Sequence, residues 1–365
     1  MVVPKLRFKE FKDEWKKYRI GDTLKVKSGR DQKLVECMNG KYPILGTGGQ
    51  IGSTNSFLYN KPSVLIGRKG TIDKPQYMDT PFWTVDTLFY TDINDKFNEK
   101  YIFYAFQNIN WKKYDESTGV PSLSCKTIEN IIYYIPDKFE QEKIANFLSL
   151  LDKKIELQKQ KIEALKIYKT GLITKSFNSL NYNEKQIKDI GIVITGTTPS
   201  KDNSNYWHNG NITWVTPSDI TESKNIYSSQ VCLTQLGLSA GRELPKNSLL
   251  ITCIASIGKN AILKVEGSCN QQINAIIPND DCDIDFLYYL FEHKKSYMQS
   301  IAGTSATSII NKSNFEKILV KIPTIDVQKK ISKTLSLIDS KIDLQNCLLR
   351  NLISFKKYLL QQMFI

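Results

Sequence analysis

This 365-residue chain has few of the residues that usually carry catalysis. It has only two histidines, His208 and His293, too isolated for a metal site or a catalytic triad. Its seven cysteines (37, 125, 232, 253, 269, 282, 347) are scattered, odd in number and without a Cys-x-x-Cys pair. That pattern predicts reduced, structural thiols rather than disulfides or a zinc cluster. No apolar run reaches the roughly 18 residues of a membrane span, and Met1 to Lys17 is charged throughout, unlike a secretory leader. A cytoplasmic protein with no membrane association is expected. Gly46-Thr-Gly-Gly-Gln-Ile-Gly52 lacks the helix and the Lys-Ser/Thr that phosphate binding requires. Pro136-Asp137 with Lys143 suggests a nuclease-like set, but the residue two before Lys143 is Gln141, so helix capping is the better reading. No carboxylate pair and no Asn-Pro-Pro-Tyr or Asp-Pro-Pro-Tyr of amino-methyltransferases stands out. No active site and no cofactor are expected on this chain.

What is present is a repeat, the first thing to seek in a long sequence. Residues 136–177 overlay 323–364 at a constant offset of 187, matching Pro136 to Pro323, Gln141 to Gln328, Asp152 to Asp339 and Lys169 to Lys356. Ile144, Leu148, Leu151, Ile155 and Gln158 step by fours and threes, and Ile331, Leu335, Ile338, Ile342 and Gln345 repeat them. Such a seam marks a long helix that pairs with another. Residues 140–176 would span roughly 55 Å at 1.5 Å per residue. Asp137 and Glu140 look like a capping box, whereas the second copy has Thr324 and Val327. If the helices run antiparallel about a pseudo-dyad, Gln158 meets Gln345, a polar pair suited to fixing register.

The rest is also doubled. Ile20 to Gly29 matches Ile187 to Gly196 at an offset of 167. Short apolar runs at 42–46, 63–67, 82–90, 213–217, 248–255, 261–265 and 273–278 read as strands, and Glu99 to Gln107 and the segment from Phe286 as helices. The loop 117–124 has its counterpart at 303–308. The predicted organisation is a domain over 1–137, a helix over 138–177, a second domain over 178–323 and a second helix over 324–365. This is an α/β (α+β) chain with two irregular β-rich domains joined by an antiparallel coiled coil.

The net charge is +13: +5 over 1–137, +4 over 138–177, zero over 178–323 and +4 over 324–365. A polyanionic partner fits that balance. Loops carrying Ser28, Arg30, Arg68, Lys69, Thr197, Lys201 and Lys259 can bring amides and cations to phosphates. Gln271 and Gln272 can read base edges.

Over essentially its whole length the chain resembles the specificity subunit of type I restriction-modification enzymes. The resemblance rests on Pro4-Lys-Leu-Arg-Phe-Lys-Glu-Phe and on Ile135-Pro-x4-Gln141-x2-Ile144-x3-Leu148-x3-Asp152-x2-Ile155, repeated from Ile322. Ile66-Gly-Arg-Lys-Gly70, Trp214-Val-x-Pro-Ser-Asp219 and Asn270-Gln-Gln-Ile-Asn-Ala-Ile-Ile-Pro278 add to it. It implies a non-catalytic subunit whose two target-recognition domains each read half of a bipartite DNA site, with the helices as the ruler between halves. It also implies two methylation subunits as partners, carrying S-adenosylmethionine, and restriction subunits using ATP and Mg. The alternative is an orphan DNA-binding scaffold without an active methyltransferase partner.

Overall fold

The computed structural model describes residues 2–302 and 308–365. Residues 303–307 of the expected loop at 303–308 lie outside the described residues. The chain forms two compact units, Met1–Gln160 with Cys347–Ile365, and Lys161–Asn346. The long helices, Lys138–Asn178 and Ile325–Met363, contribute to both.

The first unit is built on a four-stranded sheet in the order Leu24–Ser28, Leu88–Ile93, Ser63–Gly67, Gln76–Met78. A smaller sheet of Gly49–Thr54, Tyr42–Gly46 and Trp83–Thr84 accompanies it. Every residue of Ser63–Gly67 is buried, as expected for a continuous apolar run rather than an alternating one. The segment 82–90, predicted as one strand, is two. Leu88 donates its N–H to the Val85 carbonyl at 3.0 Å, turning the chain between them. Gly46–Gly52 is part of an antiparallel hairpin, with Gly46 opposite Gly49.

The second unit repeats the plan. Its sheet runs Gly191–Thr195, Ile273–Pro278, Ser248–Thr252, Asn260–Leu263, Asn225–Ile226, beside a three-stranded sheet of Cys232–Leu233, Ile212–Val215 and Gly267–Cys269. The parallel pair Leu45 with Thr84 in the first unit becomes Val215 with Cys269 in the second. The helix Glu99–Asn108, capped by Asn98, becomes Ile284–Ile301, capped by Asp283.

In each unit the two long helices pack side by side in opposite directions, burying the seam read from the sequence. Ile144, Leu148, Leu151 and Ile155 share the first core with Leu352 and Leu359. Leu335 and Ile331 share the second with Leu172 and Ile173. Ile342 and the two seam glutamines, Gln158 and Gln345, are buried as well, and Ile338 is half-buried.

The helix start corrects one expectation. Asp137 does cap, accepting the Glu140 N–H at 2.9 Å, but the Glu140 side chain does not return the bond. It is fully buried and held by Arg7, whose Nε and Nη2 each donate to a carboxylate oxygen at 2.8 Å. A buried carboxylate needs such a fork to offset its lost hydration. Glu140 therefore anchors the N-terminal lead-in, which also ties to the end of the chain through Leu6 N–H to the Gln362 carbonyl at 2.9 Å.

Candidate nucleic-acid interface

Strand register gathers the loop residues of the first unit. Ser28 pairs with Phe89, and Gly67 with Leu88, so Gly29–Arg30, Arg68–Lys69 and the turn Val85–Leu88 leave the sheet at one end. The Arg30 N–H donates to the Thr84 carbonyl at 2.9 Å, and the Arg68 N–H to the Thr87 carbonyl at 2.8 Å. Leu123 closes the group by donating to the Arg68 carbonyl at 2.9 Å, with Ser122 bridging Lys69. Gly29 allows this approach, since a Cβ there would lie 2.0 Å from the Val85 carbonyl oxygen. Ser28, Arg68 and Lys69 line one cavity of about 550 Å³ with Asp86, Thr87 and Glu116. The exposed Arg68 guanidinium donates to the Asp86 carbonyl at 3.4 Å and lies 5.9 Å from the Phe89 ring centroid. That contact restricts a side chain that would otherwise lose much rotamer entropy on binding.

The second unit reproduces the same backbone frame. The Thr197 N–H donates to the Cys269 carbonyl at 2.8 Å, Cys253 to Gln272 at 2.8 Å, and Ile310 to Cys253 at 2.9 Å. Gly196 plays the part of Gly29, because a Cβ there would lie 2.2 Å from the Asn270 carbonyl oxygen. Thr197, Gln271 and Gln272 are thereby brought together. Gln271 is exposed and accepts from the Thr198 hydroxyl at 2.5 Å, while Gln272 accepts from Asn270 Nδ2 at 2.9 Å. Trp214 and Trp207 brace the neighbouring loop, donating to the carbonyls of Thr197 at 3.0 Å and Ser200 at 2.9 Å. Lys201 is exposed on that loop. Lys259 leaves the same sheet end, its N–H donating to Thr252 Oγ1 at 3.0 Å. Lys259 also lines a cavity of about 620 Å³ shared with Lys166, Lys224, Lys295 and Glu292. Burial raises the pKa of Glu292, against the opposing pull of Lys169 and Lys295.

Each β-rich domain is strapped to the helices in the same way. Gln141 donates to the Pro136 carbonyl at 3.0 Å and accepts the Asn98 N–H at 2.9 Å. Gln328 donates to Pro323 at 2.8 Å and accepts from Asp283 at 2.8 Å. The Tyr104 hydroxyl donates to Asp152 at 2.8 Å, and Lys356 pairs with that carboxylate at 2.6 Å. In the second unit Tyr289 donates to Asp339 at 2.5 Å, with Lys169 at 2.6 Å. Each lysine also lies over its tyrosine ring, 5.3 Å and 5.5 Å from the centroid.

A family model described as type I restriction modification DNA specificity domain matches residues 12–166 and again 180–353. The chain belongs to this family. Among curated members it is 35% identical, over 45% of its own length and 39% of the relative's, to the type I restriction enzyme MjaIX specificity subunit of Methanocaldococcus jannaschii. It is 24% identical over 91% of its length and 88% of the relative's to the MjaVIII specificity subunit of the same organism. The first curated relatives are matched over only 35% to 43% of their length. The crystal structure of a type I restriction-modification system S subunit from M. genitalium shares the fold, with a TM-score of 0.65, 17% identity, and coverage of 100% of this chain and 99% of that one.

Three of the seven cysteines and one of the two histidines serve as packing elements. Burial pushes the thiols of Cys253, Cys269 and Cys282 up to about 12, so they stay protonated near neutrality. His293 stacks on Phe177, the ring centroids 5.5 Å apart. Among the described residues no group of three or more His, Cys, Asp or Glu side chains could hold a metal, and no helix is long and apolar enough to cross a membrane. Sequence reasoning missed Asp86, Thr87, Thr198 and Arg242. The Arg242 Nη1 donates to the Thr195 carbonyl at 2.6 Å, beside the same sheet end.

Proposed function

We propose that this chain is the non-catalytic DNA-recognition subunit of a type I restriction-modification assembly. Each unit would read one half of a bipartite site. The observation that carries the reading is the duplicated sheet end. The same backbone bonds present Arg30, Arg68 and Lys69 in one unit and Thr197, Gln271 and Gln272 in the other. Main-chain frames of this kind hold polar side chains for phosphate contacts and base-edge readout. Lys201 and Lys259 would add phosphate contacts in the second unit.

The long helices are proposed to set the spacing between half-sites, with Gln158 and Gln345 fixing their register. They would also dock two methylation subunits, which supply the S-adenosylmethionine chemistry, and through them restriction subunits that use ATP and Mg. Leu150 and Leu157 are 67% and 55% exposed, one heptad apart, and Leu337 and Leu344 repeat them at 65% each. Apolar side chains left bare on a helix surface suit a protein partner. The proposed domains are 1–137 and 178–323, with helices over 138–177 and 324–365, in a cytoplasmic complex.

The test is co-expression with the methylation subunit, followed by mapping of methylated adenines genome-wide. One bipartite motif that vanishes when this chain is omitted is expected. A stable complex that methylates no new motif would turn the assignment toward an orphan DNA-binding scaffold. Removing one heptad from both helices, about 10 Å of rise, should shorten the spacer by about three base pairs. An unchanged spacer rejects the ruler.

A further inference from the structure

Resting on that reading, the internal symmetry assigns Asp86 and Thr198, which the sequence did not single out, beside Gln271, which it did. Three backbone bonds fix the correspondence of the two turns. Arg30 to Thr84 matches Thr197 to Cys269, Leu88 to Val85 matches Ile273 to Asn270, and Arg68 to Thr87 matches Cys253 to Gln272. The turn tip Asp86–Thr87 is therefore the counterpart of Gln271–Gln272. Exposure agrees, with Asp86 and Gln271 exposed and Thr87 and Gln272 half-buried.

The two exposed side chains offer opposite hydrogen-bond polarity. The Asp86 carboxylate makes no hydrogen bond or ion pair to the described residues, although its own main-chain carbonyl accepts from Arg68. An ionised carboxylate only accepts. Gln271 has its carboxamide oxygen occupied by the Thr198 hydroxyl, which turns Nε2, a donor, away from that contact. In the major groove cytosine and adenine present exocyclic amine donors, whereas guanine presents acceptors at N7 and O6. We infer that Asp86 and Gln271 are equivalent specificity-determining residues, Asp86 selecting a base with an exocyclic amine, cytosine first, and Gln271 selecting an acceptor, guanine first. Thr198 is the positioning residue that sets the polarity of Gln271.

The experiment is selection of DNA from a library with both half-sites randomised, using the complete assembly of this chain with its methylation subunits. Wild type, Asp86→Asn, Gln271→Glu and Thr198→Val are compared. Failure of wild type to select any bipartite site would overturn the proposed function itself. Given wild-type selection, Asp86→Asn should lose preference for an amine-bearing base at one position of one half-site, by roughly 5- to 150-fold, and leave the other half intact. Gln271→Glu should invert one position of the opposite half toward cytosine. Thr198→Val should relax that same position, because the freed carboxamide can turn over. Unchanged motifs in Asp86→Asn and Gln271→Glu would overturn the inference. So would general loss of DNA binding by Asp86→Asn, since removing a negative charge cannot weaken attraction to phosphates. Changes in the same half-site for both residues would refute their equivalence.

Discussion

The two units share a skeleton and differ in what they hang on it. Their turns, parallel strand pairs, glutamine hooks and Tyr–Asp–Lys straps match bond for bond. The side chains proposed to meet DNA do not: Arg30, Arg68, Lys69 and Asp86 in the first, and Thr197, Gln271 and Gln272 with Lys201 and Lys259 in the second. Backbone hydrogen bonds are indifferent to side-chain identity, so a frame made from them lets surface residues change without cost to the fold. The lesson is a separation of tasks within one chain, with geometry held by the main chain and a few buried polar hooks, and chemistry delegated to the tips.

The sharpest way to break the comparison is at a lock that one unit has and the other lacks. Arg7→Ala leaves the buried Glu140 without its partner and should cost about 3–5 kcal/mol in the first unit alone. Unit-resolved hydrogen exchange would show protection lost in Ser63–Gly67 and kept in Ser248–Thr252. Adding Glu140→Val, the residue at this position of the second copy, should recover most of the loss. Next come the shared hooks. Gln141→Ala and Gln328→Ala each strand backbone groups beside the helix start, for about 2–3 kcal/mol, and should destabilise their own units by similar amounts. Unequal losses would show that the repeat is less symmetric in energy than in form. Tyr104→Phe and Tyr289→Phe should each remove about 1–2 kcal/mol by the same measurement.

The smallest effect is a pH dependence private to the second unit. Burial raises the Glu292 pKa above the usual carboxylate range. The folded unit therefore binds that proton more tightly than the unfolded chain does. The associated stability is complete at pH below the ordinary carboxylate pKa and is lost as pH rises through the folded value. Glu292→Gln should flatten this slope and slightly stabilise the second unit at neutral pH, as read by thermal unfolding from pH 4 to 7. A steeper slope would contradict the sign.

The long helices were legible because a heptad seam is a sequence-local pattern, repeated here without a gap. Strands such as 63–67 and 273–278 were legible as apolar runs bounded by Gly and Pro. The turn at Asp86 was not, because 82–90 reads as one strand and the break is made by Val85 and Leu88 bonding to each other. Glu140 was misread because its partner, Arg7, lies 133 residues away. Local spacing fits a capping box equally well, and only tertiary structure separates the two.

The composition of the first unit from Met1–Gln160 and Cys347–Ile365 bears on how the protein is made. A ribosome completes the continuous second unit while the first still lacks Leu352, Leu359 and Phe364 from its core and Lys356 from its strap. The part translated first is thus the part finished last. During that interval Leu148, Leu151 and Ile155 wait uncovered, an apolar strip open to premature association.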